Sequence, residues 1–71
     1  MQTFEIAIHN EEVRKLVSQG DSHRHLSDDW GDSHYIEFKG DNEEEAIAKC
    51  RQKYREDDGY VIEGVSIVNN D

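Results

Sequence analysis

The stretch Asp41–Arg55, DNEEEAIAKCRQKYR, constrains the fold of this chain more than any other. Asp41 or Asn42 supplies a helix cap, and either choice puts a glutamate three residues on, Glu44 or Glu45, at capping-box spacing. Glu43, Glu44 and Glu45 crowd the first turn, while Lys49, Arg51, Lys53 and Arg55 fill the later ones. That order complements the helix dipole, negative charge near the N-terminus and positive near the C-terminus. Ala46, Ile47, Cys50 and Tyr54 recur at helical spacing and form one narrow apolar stripe. A helix so polar elsewhere must lay that stripe on a sheet, and strand-like runs lie on both sides of it.

Residues 2–8, QTFEIAI, alternate with Phe4, Ile6 and Ile8 on one face, the pattern of a half-buried strand. Asn10 then offers a cap, Val13, Leu16 and Val17 fall at helical spacing, and Gly20 is placed to end a short helix in the left-handed conformation. Residues 21–33 form a polar loop without periodicity, pinned by Leu26 and Trp30. HYIEFK at 34–39 alternates again with Ile36 and Phe38 inward. YVIEGVSIV at 60–68 slips in phase, and a bulge at Glu63-Gly64 would return Tyr60, Ile62, Val65 and Ile67 to one face. The expected architecture is α+β. One domain over residues 1–68 runs β-α-β-α-β, with a three-stranded sheet carrying both helices on one face, and residues 69–71 form a frayed tail. Its outer face would show Thr3, Glu5, Tyr35, Glu37, Lys39 and Glu63.

At 71 residues the chain has room for one small domain, and pairing with a second copy would bury further apolar surface. The formal net charge is -9, most of it in the last 45 residues, where 13 acidic side chains face 5 basic ones. Such a surface repels phosphate backbones and anionic lipid, so neither nucleic acid nor membrane is an expected direct partner. A protein with a basic surface is. Cys50 is the only cysteine, which excludes an internal disulfide and fits a cytoplasmic protein. No apolar run approaches the ~18 residues of a membrane span, and no signal segment follows Met1.

Three groups of residues carry the candidate chemistry. His23, His25 and His34, with Asp21, Asp28, Asp29 and Asp32 nearby, form a candidate zinc, nickel or copper set, against the plain reading of a solvated loop. Asp28–Asp32 lacks the alternating oxygen ligands of a calcium loop. Trp30 and Tyr35, with Arg24, are candidate interface anchors; against this stands the reading that Trp30 closes the small core, and a loop tryptophan can do both, burying one ring face and offering the other. Glu43, Glu44, Glu45, Glu56, Asp57, Asp58 and Glu63 would cluster around the ends of the main helix as an acidic surface. Carboxylates so spaced suit a basic partner and would also imitate a phosphate backbone, as phage-type inhibitors of nucleic-acid enzymes do. His9, at a strand end, reads as a surface residue. Cys50 reads as core, and no serine elbow, phosphate loop or dinucleotide fingerprint occurs, so neither catalytic residues nor a cofactor is expected. The sequence therefore points to a non-enzymatic protein-interaction module. A metal-binding protein using the loop histidines is the alternative from another class.

Overall fold

The first strand becomes the centre of the sheet. In the computed structural model, which describes residues 1–68, β1 (Gln2–Asn10) pairs antiparallel with β2 (His34–Gly40) on one side and β3 (Tyr60–Val68) on the other, in the order β2-β1-β3. Helix α1 (Glu11–Ser18) follows β1, and α2 (Glu43–Lys53) joins β2 to β3. Two short 3-10 turns, Asp28–Gly31 and Glu56–Asp58, complete the set. This is the α+β class and the β-α-β-α-β order expected from the sequence. The tail expected at 69–71 lies outside the described residues.

Register explains the core. Phe4 lies opposite Phe38 and Ile67, Ile6 opposite Ile36 and Val65, and Ile8 opposite His34 and Ile62. Directly opposed residues share a face, so one face collects nearly all the large apolar side chains of the strands. Phe4, Ile6, Ile8, Ala46 and Cys50 are its buried centre, surrounded by the half-buried Ile36, Phe38, Ile47, Tyr54, Ile62 and Val65. The predicted bulge is present. Ala7 opposes Gly64 while Ile8 opposes Ile62, which leaves Glu63 as the extra residue. Gly64 keeps a negative φ, however, so the bulge does not depend on glycine.

One expectation about this strand fails. Ile67 lies on the apolar face yet is 62% exposed. Helix α2 packs over β2 and β1 and leaves β3 largely unroofed. Helix α1 packs instead against the Asp28–Gly31 turn beyond the end of β1, with Val13 buried.

Both helices begin on residues that physical chemistry nominates, and α1 also ends on one, whereas α2 ends two residues before the expected Arg55. Asn10 Oδ1 accepts the Val13 amide at 3.1 Å, and Asn42 Oδ1 accepts that of Glu45 at 2.9 Å, so Asn42 rather than Asp41 caps α2. The Glu45 carboxylate reaches back to the Asp41 amide, one residue before the usual capping-box partner. After α1, Asp21 N donates to Leu16 O and Gly20 N to Val17 O, the paired bonds of a Schellman ending, with Gly20 at φ 82°. Helix α2 stops at Lys53. Tyr54 turns extended there, and Arg55 lies outside the helix. No helix among the described residues is long and apolar enough to cross a membrane.

Candidate binding cleft

Three separate segments meet at one end of the sheet. Asn10 closes β1 and is fully buried. Its Oδ1 caps α1 while its Nδ2 donates to the Asp58 carbonyl at 2.9 Å. The Glu11 amide donates to the Gly59 carbonyl at 2.7 Å. These two bonds hold the Glu56–Asp58 turn against the first turn of α1, which brings Asp57 and Asp58 towards Glu12. The polar loop supplies the third wall. His23 Nδ1 accepts the amides of His25 and Leu26 at 3.0 and 3.2 Å, which fixes the proton of a neutral ring on Nε2, 3.6 Å from a Glu12 oxygen.

The space between these walls is a cleft of about 440 Å³ lined by Glu12, His23, His25, Leu26, Asp57, Asp58 and Tyr60. Half of its six polar lining residues are carboxylates, Glu12, Asp57 and Asp58. Asp57 has one cationic contact, Arg55 at 3.4 Å across exposed surface. Tyr60 and Leu26 give it an apolar wall. Burial, with Tyr54 and Asp58 adding to it, pushes the Tyr60 phenol above its ordinary value, so it keeps its proton throughout the neutral range. Behind Tyr60 stands an aromatic group. The Trp30 ring stacks on His34 with centroids 4.2 Å apart and meets Tyr54 and Tyr60 at 5.6 and 5.4 Å.

This geometry divides the sequence-derived candidates. Trp30 packs, half-buried, against the core, and Tyr35 lies on the opposite face of the sheet, beside Ala7 and 65% exposed. Trp30 and Tyr35 therefore do not form one surface. Arg24 borders a groove beside the cleft with Glu12, Leu16 and His25. The loop histidines separate too. The His23 and His25 rings meet at 6.1 Å, whereas His34 is held by Trp30 and by the Asp29 carbonyl, 2.8 Å from its Nε2. Among the described residues no group of three or more His, Cys, Asp or Glu side chains is placed to hold a metal ion. The acidic surface splits in two. Glu43, Glu44 and Glu45 sit at the start of α2 and Asp57 and Asp58 follow its end, roughly 16 Å of helix apart at ~1.5 Å per residue.

Glu63 leaves that surface altogether. Its carboxylate accepts from Ser33 Oγ at 2.8 Å and from His9 Nδ1, with Arg14 at 3.6 Å. The Ser33 hydroxyl most of all, then His9 and Arg14, hold this carboxyl below the usual glutamate range. His9, expected at the surface, is buried, with Nε2 2.7 Å from Glu11 Oε2. Both its nitrogens face carboxylates, which leaves none free to serve as a base. Nothing in the sequence joined residues 9, 33 and 63. The bulge that aims Glu63 was the one available signal.

Cys50 is buried under α2, and burial pushes its thiol above the ordinary value. Comparison with protein-family models, with curated proteins and with solved structures finds no match.

Proposed function

We propose that this domain is a non-enzymatic interaction module that binds a protein partner by seating a lysine or arginine side chain in the Glu12–Asp57–Asp58 cleft. The observation that carries the reading is the pairing of three carboxylates with an apolar wall, Tyr60 and Leu26, in one concavity. A long basic side chain has the matching profile, an apolar stem and a cationic head. The overall charge of -9 steers a basic partner towards the domain and repels nucleic acid. A single buried thiol suits a reducing, cytoplasmic setting.

The test is an NMR titration with short arginine- and lysine-containing peptides, following backbone amides at two ionic strengths. Shifts should concentrate at Glu12, His23, Asp58 and Tyr60 and weaken as salt rises. Asp58→Lys should abolish them, whereas Glu44→Lys, at the far end of α2, should change them little. Equal loss in both variants would reduce the effect to net charge. Shifts spread evenly over the surface would remove the cleft from the reading.

A further inference from the structure

The sheet has two free edges, and they are built differently. The outer edge belongs to β2 on one side and β3 on the other. Strand β2 carries Glu37 and Lys39 with exposed side chains, and the Lys49 ammonium donates to the Lys39 carbonyl at 2.6 Å. Charge on an edge is a common device against pairing with another chain. The segment Gly64-Val65-Ser66-Ile67-Val68 of β3 has none: no charge, no proline, three β-branched apolar residues. Its Ile67 is 62% exposed on the apolar face, beside the half-buried Val65.

We infer that this edge pairs with the same edge of a second copy, antiparallel and centred on Ser66, to give a six-stranded sheet. In that register Ile67 of one copy lies opposite Val65 of the other, so each exposed isoleucine is covered by its symmetry mate's apolar side chain. The bulge at Glu63 ends the paired segment on its N-terminal side.

Charge also selects a second copy as the occupant. Two chains of -9 can meet only where their carboxylates stay apart. Among the described residues, the carboxylate flanking this segment on the other face, Glu5, is opposite Ser66 on β1. Across the symmetric interface the two Glu5 residues are three strand spacings apart, roughly 14 Å, and ions in solution screen over about 8 Å. Glu63 is already engaged by Ser33, His9 and Arg14. A basic strand finds no charge to meet along residues 64–68, whereas an identical strand finds its own apolar complement.

Five paired residues a side make a small interface, so association should be weak. Sedimentation of the full chain should show the mass rising from monomer near about 10 µM towards dimer near about 1 mM. Amide exchange in Gly64–Val68 should slow with concentration while that of β2 stays constant. Ile67→Glu places a like charge against each partner and should hold the protein monomeric across the range, with circular dichroism reporting whether it folds. If it does not fold, Ile67→Thr takes its place, since it keeps a β-branched residue and adds no charge; it should weaken association at least several-fold. A wild-type mass that stays monomeric throughout would overturn the inference. So would a dimer whose protection falls on β2, or one indifferent to the folded Ile67 variant.

Discussion

Asn10 is the residue whose loss should cost most for its size. It is fully buried, and both ends of its amide are in use, one capping α1 and one holding the Asp58 carbonyl. Asn10→Ala removes a cap, about 1 kcal/mol, and strands a part-buried carbonyl, about another 1–3 kcal/mol. The expected sum is about 2–4 kcal/mol, against a total of about 4–10 kcal/mol for a domain of this length. That is a fall in Tm of roughly 10–30 °C. Asn10→Ser keeps a capping oxygen but no amide donor, so it should recover about 1 kcal/mol of the loss. Urea unfolding followed by circular dichroism measures all three proteins, and an unchanged slope would confirm a change in stability alone. An alanine variant within about 0.5 kcal/mol of wild type would refute the reasoning, because surface substitutions commonly fall inside that range. Alanine and serine variants of equal stability would show that the cap contributes nothing.

Glycine 59 has φ 96°, and an added Cβ would lie 2.9 Å from Asn10 Oδ1 and Glu12 Cγ, so Gly59→Ala should destabilise by at least about 1–2 kcal/mol. Gly64→Ala, with open space around its Cβ and no positive φ, should stay within about 0.5 kcal/mol of wild type in the same unfolding assay. Because the Glu63 carboxyl is held below its ordinary value, its ionised form stabilises the fold at neutral pH, and that contribution disappears as pH falls below the ordinary glutamate range. Glu63→Gln should accordingly lower stability at pH 7 and flatten the acid limb of the stability profile; an unchanged acid limb would contradict the assignment. Cys50 should resist a thiol reagent in the native protein and react at the rate of an ordinary cysteine only in denaturant, since the thiol is both buried and shifted upward.

Local chemistry carried much of this fold in readable form. The alternation of Phe4, Ile6 and Ile8, the caps at Asn10 and Asn42, the glycine ending at Gly20 and the phase slip at Glu63 each depend on neighbours a few residues away. Properties set by lateral placement were not readable. Ile67 has the right face, but its cover depends on where α2 lies across the sheet, which no strand pattern encodes. The three histidines were close in sequence, yet the Asp28–Gly31 turn carries the chain from His25 to Trp30, on which His34 stacks. The burial of His9 required Glu11 beside it and Glu63 from more than fifty residues away. Of the acidic residues expected round the ends of α2, only Glu63 lies elsewhere, drawn to Ser33, His9 and Arg14 by contacts distant in sequence.

The central position of β1 also sets the order in which this protein can come together. Neither strand pairing is a hairpin: β2 begins at His34 and β3 at Tyr60, while their common neighbour ends at Asn10. Every ladder bond therefore closes a long loop before it is rewarded, and such topologies fold more slowly than those built from adjacent strands. On a ribosome the first strand waits through the synthesis of about fifty residues before its second neighbour begins, at roughly 5–20 residues per second. For those seconds one backbone edge of β1 has no strand to pair with, and the face that carries Phe4, Ile6 and Ile8 lacks the cover of β3. Until β3 forms, the risk of wrong pairing lies on β1, and Tyr60–Val68 covers that edge when it docks.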